Sequence, residues 1–319
     1  MKRLLFLLLF ISCFANAQQE QQYSLYMANP YTLNPALAGT EEFIDFNAGF
    51  RYQWVGIDGS PVTVYLSGHG VVGKPMPHTR IAQTHRNWHG VGGYLYSDRT
   101  GPLSRTSLNI SYSYNMTLTN TLRLSAGAFG GFKTISVNGE WWENIDDPSD
   151  NLFGSSGFSA TNPDLSLGLW LYTDRFYVGM SGFQMIRGDV DFGALQGELE
   201  DNSTLNRHYF INSGVKLEMA YQIYFVPSVM IKMTPNSPIS MDLNGKIDFK
   251  TKYWIGASYR HLDSFIGMIG TTISNSFDVS YGYDVTLSGL RNHSYGSHEI
   301  VLGYRLHRPK SPICPSKFW

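Results

Sequence analysis

Cysteine, charge and long apolar runs are all scarce in this 319-residue chain. It has two cysteines, Cys13 and Cys314, too few for a disulfide framework. Charged residues make up 15% of it, well under the usual quarter, and they nearly cancel to a net charge of -1. That balance leaves no basic footprint and excludes nucleic acid as a partner. Beyond the N-terminus, no apolar stretch approaches the roughly 20 residues that a membrane-spanning helix needs. A helical membrane protein is therefore excluded as well. No nucleophile-elbow sequence, helical metalloprotease motif or EF-hand loop is present, which removes the commonest linear signatures of hydrolases and calcium sensors.

The N-terminus reads as a secretory signal. Lys2 and Arg3 supply the positive start, residues 4–11 the apolar run, and Ala15-Asn16-Ala17 the small-residue cleavage site before Gln18. A lipid-modified Cys13 is the other reading, but Phe10 and Ile11 fit that signal poorly. Cleavage before Gln18 leaves Cys314 as the single cysteine. It is read as an unpaired thiol on a tail, with an intermolecular link as the alternative.

What the chain does contain is alternation. Ile239, Met241, Leu243, Gly245, Ile247 and Phe249 interleave with Ser240, Asp242, Asn244, Lys246, Asp248 and Lys250. A β-strand sends successive side chains to opposite faces, so this segment has one apolar and one charged wall. The pattern recurs in Ile44, Phe46, Ala48 and Phe50 against Asp45, Asn47 and Arg51. It recurs again in Leu108, Ile110, Tyr112 and Tyr114 against Asn109, Ser111 and Ser113. Fourteen strands are predicted, at 43–55, 61–72, 88–98, 103–118, 121–137, 163–174, 176–187, 206–219, 221–234, 239–250, 252–260, 264–273, 277–286 and 297–307. Most reach the roughly 9–11 residues of a tilted spanning strand. Repeated alternation behind an export signal, with 14% aromatic residues for interfacial girdles, predicts an all-β protein: an antiparallel transmembrane barrel of the outer membrane.

An even strand number returns both barrel ends to one side, the periplasm for such barrels. Turns at 119–120, 174–175, 220, 251 and 274–276 then fall on that side, and all are short. The long connections 138–162, 188–205 and 287–296 fall outside. The connection 73–87 breaks the pattern, through either a miscounted strand or a true periplasmic excursion. Pro227 falls within a predicted strand, where a bulge is expected to absorb its missing N–H. The resulting division is a signal at 1–17, a periplasmic N-terminal segment at 18–42, a barrel at 43–307 and a periplasmic tail at 308–319.

Candidate chemistry is thin. His78, His85 and His89 cluster, but Pro75 and Pro77 oppose the helix that would align the last two on a metal. The stretch from Trp141 to Asp150 is acidic and aromatic. It is read first as a solvated outer loop, with Trp141, Trp142 and Phe153 as candidate docking anchors. No cofactor, metal or catalytic residue is assigned. The segment from Gln22 to Thr40 is more suggestive. Tyr26, Asn29, Pro30, Tyr31, Asn34 and Pro35 make it too aromatic for a flexible leader, and its two Asn-Pro steps oppose regular helix. It either packs inside the barrel or lies along its rim.

Tyr26-Met27-Ala28-Asn29-Pro30 with Leu33-Asn34-Pro35-Ala36-Leu37-Ala38-Gly39 resembles the opening of the PorP/SprF family of the type IX secretion and gliding-motility system. Tyr283-Asp284-Val285-Thr286-Leu287-Ser288-Gly289-Leu290 and Ser297-His298-Glu299-Ile300-Val301-Leu302-Gly303-Tyr304-Arg305 resemble its closing hairpin, and Cys314-Pro315 with Phe318-Trp319 its tail. Ala28 and Leu37 stand where bulkier or aromatic residues are expected. The resemblance implies an outer-membrane barrel of a Bacteroidetes-type bacterium, acting as export partner and surface anchor of a large secreted adhesin. That cargo is expected to be held through its C-terminal domain, with periplasmic secretion or peptidoglycan-binding components as further partners. A fatty-acid-uptake-like transporter of small apolar ligands, also fourteen-stranded with an N-terminal hatch, is the alternative. An outer-membrane hydrolase comes next.

Overall fold

Strands form where the alternation is strict, because each then offers lipid an apolar face and the interior a polar one. A computed structural model describes residues 21–41, 43–72, 87–138, 158–186, 205–235, 237–250, 252–274 and 276–306. In chain order the strands are β1 Ile44–Tyr52, β2 Val62–Val72, β3 Trp88–Thr100, β4 Leu103–Thr117, β5 Arg123–Val137, β6 Phe158–Tyr172, β7 Phe176–Phe183 and β8 His208–Val215. They continue with β9 Leu217–Ala220, β10 Ile223–Met233, β11 Ser240–Phe249, β12 Tyr253–Arg260, β13 Ser264–Thr272, β14 Phe277–Thr286 and β15 Ser297–Leu306. β8 and β9 are two lengths of one stave interrupted at Lys216, so the fifteen segments make a barrel of fourteen staves. Neighbouring staves are antiparallel. The ring closes where β15 pairs with β1, from Ile44 opposite Leu306 to Tyr52 opposite His298. Closure leaves no sheet edge in lipid, which a spanning sheet requires.

β1 begins and β15 ends at one mouth, termed the near mouth. The strand ends that bound the short connections 118–122, 173–175, 221–222, 250–252 and 273–276 lie there, and those that bound the long ones 138–157, 184–207 and 287–296 lie at the far mouth. β2 and β3 are direct neighbours, with Val72 opposite His89. No stave of the ring is therefore missing between them; the connection 73–87 lies, but for Asn87, outside the described residues.

The outer face is apolar through its middle, with Leu66, Ile110, Phe132, Ile255, Ile269 and Leu302 all exposed. Aromatic and histidine side chains ring both ends of this band, as amphipathic rings do at membrane interfaces. Near the near mouth, His89 sits 2.7 Å from the Tyr112 hydroxyl and Phe277 packs on Tyr304 at 4.6 Å. Near the far mouth, His298 meets Tyr281 at 2.7 Å. β3 to β6 run on beyond the band toward the far mouth. There Ser97, Thr106, Thr134 and Thr161 stand opposite one another across the four strands.

That extension explains one departure from the sequence reading: β6 begins at Phe158 rather than 163. Above the lipid its outer face has no need to be apolar, so the alternation fades. The proline expectation is also corrected. Pro227 pairs in regular register with Gly245 on β11, without a bulge of its own. On its other side, pairing to β8 stops at Ser228 opposite Gly214 and resumes on β9 with Phe225 opposite Leu217. The register is the same on either side of this gap, which takes in Pro227 and Val226, and a residue without an N–H cannot complete the ladder there.

Candidate functional site

The lumen is occupied by the chain's own leader. Its two Asn-Pro steps give two short 3-10 turns, Pro30–Leu33 and Pro35–Leu37, each opened by its proline. Asn34 caps the second, its side-chain oxygen accepting from the Ala36 N–H at 3.0 Å. An irregular backbone inside a barrel must find partners for its carbonyl and N–H groups, or each one costs free energy. The inward positions of the strands supply them. The Ser113 hydroxyl donates to the Ala38 carbonyl at 2.6 Å, Ser125 to Ala36 at 2.5 Å, Ser181 to Leu33 at 2.5 Å, and the Trp88 indole N–H to Gly39 at 2.7 Å. Ser113, part of the polar face read from the sequence, is thus one of the groups that hold the leader.

All six leader residues singled out from the sequence are buried there. Asn244 donates to the Tyr26 hydroxyl, and Asn29 donates to Ser67 at 2.9 Å. Tyr31 shares a hydrogen bond with Ser111 at 2.6 Å and meets the Phe129 ring edge-on at 5.2 Å. The Asn34 amide donates to the Leu169 and Met180 carbonyls at 3.0 and 3.2 Å. Pro30 and Pro35 open the two turns. Trp141, Trp142, Phe153, His78 and His85 lie outside the described residues. His89 faces outward, in the near-mouth girdle. Among the described residues, no three His, Cys, Asp or Glu side chains are grouped to hold a metal ion.

Two ionic groups close the far end of the leader, and the sequence reading missed both. The Arg51 guanidinium binds Asp284 at 2.9 Å and Glu299 at 3.0 Å, with all three side chains at most 3% exposed. Ser24 joins them: its N–H donates to Glu299 at 2.6 Å and its hydroxyl to Asp284 at 2.5 Å. Arg260 and Lys232 flank Asp242 at 3.2 and 3.0 Å, and Arg260 also donates to the Tyr23 carbonyl at 3.3 Å. Of these, Arg51 and Asp242 stood in the sequence on the polar side of an alternation, a signal that marks a polar lumen but not which strands' charges meet.

Of the two placements expected for the N-terminal segment, the structure shows the first, inside the barrel. Residues 21–41 lie there, where inward side chains of the wall partner backbone groups at Tyr23, Ser24, Leu33, Ala36, Ala38 and Gly39. β1 begins and β15 ends at the near mouth, while Ser24 sits among far-mouth strand ends.

Glycines on the inner wall seat the leader. A Cβ at Gly90 would stand 2.2 Å from the Ala38 carbonyl oxygen, and one at Gly127 2.6 Å from that of Pro35. Both obstacles are backbone atoms and cannot swing aside. Gly90→Val is expected to unseat the leader while sparing the outer wall. The check is chymotrypsin cleavage at Tyr31, absent in the parent protein and present in the variant.

By sequence, the family model of the type IX secretion system membrane protein PorP/SprF matches residues 15–304. None of the curated proteins compared matches the chain. Among solved structures, the toluene transporter TbuX of Ralstonia pickettii is similar at 12% identity and a TM-score of 0.50, over 88% of this chain and 92% of that one. The Pseudomonas putida toluene transporter TodX is 10% identical with a TM-score of 0.48, over 90% and 94%. At such identities the likeness is one of fold: an outer-membrane barrel.

Proposed function

Because the chain belongs to the PorP/SprF family of type IX secretion system membrane proteins, we propose that it is a plugged docking barrel of the outer membrane. In this reading it is the export partner and surface anchor of a large adhesin-type protein, held through the cargo's C-terminal domain, and it performs no catalysis. The observation that carries the reading is the filled lumen. A wall packed with its own chain, and tied to it from Ser24 to Gly39, favours holding a partner at its mouths over passing a solute between them. The far mouth, with its long connections, is assigned to the cell exterior, and the near mouth to the periplasm and to secretion or peptidoglycan-binding components.

Mild-detergent affinity purification of the tagged protein, followed by mass spectrometry, tests this. Recovery of one large surface protein in near-equal amount is the expected result. A barrel that purifies alone sinks the docking reading. It would favour uptake of small apolar ligands, the second reading, which draws support from the fold shared with TbuX. Trp141, Trp142 and Phe153, on the connection after β5, are proposed as rigid anchors. Alanine at either tryptophan is expected to cost about 2 kcal/mol, roughly 30-fold in Kd for the cargo, as buried aromatic hot spots do. Titration of purified cargo against the heat-modifiable, folded barrel measures it.

A further inference from the structure

The direction in which the leader crosses the lumen has a consequence for the surface of the molecule. Phe43 precedes β1 at the near mouth. From there, going backward along the chain, the contacts pass from the near mouth through the middle of the wall to the far mouth. Gly39 meets Trp88, the first residue of β3; Tyr31 meets Ser111, midway along β4; Tyr23 meets Tyr94 at 2.5 Å. Ser24 then meets Asp284 and Glu299, close to the far ends of β14 and β15. Gln21 and Gln22 line a small recess with His208, Lys232, Thr234 and Pro238, residues at or next to far-mouth connections. The leader therefore spans the barrel from mouth to mouth, and its upstream end stands beside the connection 234–239.

We infer that the amino-terminal end of the leader is presented at the far mouth, on the cell surface. The inference rests on the assignment of the far mouth to the cell exterior. It also fixes an order of assembly. The wall is closed by continuous pairing, and the leader enters at one mouth and ends at the other. The leader must therefore be in place before β1 and β15 seal, or pass its free end through the lumen afterwards. In either case a signal at 1–17 would have to be cut away first, since a leader still held at its start cannot be drawn to the opposite mouth.

The test uses full-length protein in intact cells, in a Cys314→Ser background. Single cysteines are placed by Gln22→Cys in the leader, Arg291→Cys in the far-mouth connection and Thr119→Cys in a near-mouth turn. A short epitope is inserted after Glu20 in a parallel chain. A membrane-impermeant maleimide is expected to label Gln22→Cys and Arg291→Cys in intact cells, and Thr119→Cys only after the outer membrane is opened. Antibody is expected to reach the epitope from outside. An epitope detected only after opening the membrane, in a barrel that remains heat-modifiable and with Arg291→Cys labelled from outside, overturns the inference. Arg291→Cys protected and Thr119→Cys labelled would instead overturn the orientation of the barrel. Surface labelling of Gln22→Cys with no cargo recovered would leave the inference standing and remove the docking role.

Discussion

Deleting residues 22–40 is expected to turn a closed barrel into an ion-conducting one. A fourteen-stave wall encloses more space than its inward side chains fill, whereas eight staves would be packed by theirs. Here the inward positions of β4 are Ser107, Asn109, Ser111, Ser113 and Asn115, and Gly90, Gly92, Gly127 and Gly168 line the leader's path on neighbouring strands. Such small groups cannot meet across the lumen once Tyr31, Leu25 and Leu37, all at most 1% exposed, are gone. The wall itself should survive, since its backbone hydrogen bonds run stave to stave. Stability should fall, because each large apolar side chain no longer buried forfeits roughly 1.5–3 kcal/mol. Planar-bilayer recording should show a silent parent protein and open channels from the deleted form, while heat-modifiable migration confirms that the barrel has formed. A deleted barrel that stays closed would mean that the far-mouth connections, not the leader, seal it.

The staves were legible from the sequence where lipid enforces alternation and illegible where it does not. The 103–118 and 239–250 predictions lie within a residue of β4 and β11, whose outer faces are apolar along most of their length. β6 was read five residues short because Ser159 and Thr161 stand above the band, where nothing selects an apolar outer face. The interruption at Lys216 left no trace in the pattern, since the strand resumes on the same stave. The leader's aromatic and Asn-Pro content marked it as structured, but its place in the lumen depends on partners such as Ser111, Ser181 and Asn244. These lie far away along the chain, beyond the reach of local periodicity. The charges illustrate the same limit: Arg51 read as the polar side of an alternation, and only closure of β15 on β1 brings Asp284 and Glu299 to it.

That ionic group should show the largest single-residue effect. Arg51→Ala leaves Asp284 and Glu299 buried side by side with no cation between them, and Ser24 still bound to both. Breaking a buried ion pair from one side typically costs about 3–5 kcal/mol, because the remaining charge keeps its desolvation penalty and loses its partner. Arg51→Lys should recover only part of the loss, since one ammonium cannot serve two carboxylates with the forked geometry of a guanidinium. The informative comparison is the triple variant Arg51→Ala, Asp284→Ala, Glu299→Ala. With the stranded charges removed, it should be more stable than Arg51→Ala alone, although it lacks more interactions. Denaturant midpoints in detergent rank the three. An Arg51→Ala barrel as stable as the parent would show that the carboxylates do not depend on this arginine. The same variants separate anchoring from seating. Ser24 belongs to the ionic group, while Ala36, Ala38 and Gly39 are held by Ser125, Ser113 and Trp88 at the other end. Loss of Arg51 should therefore free Tyr23 and Tyr26 to chymotrypsin at the far mouth and leave Tyr31 protected, the opposite end from the one Gly90→Val disturbs. A leader that loosens from each end independently is tied down at both, as a permanent closure of the lumen would be. Concerted release of the whole segment by either change would be the behaviour of a hatch, and would move the barrel toward transport.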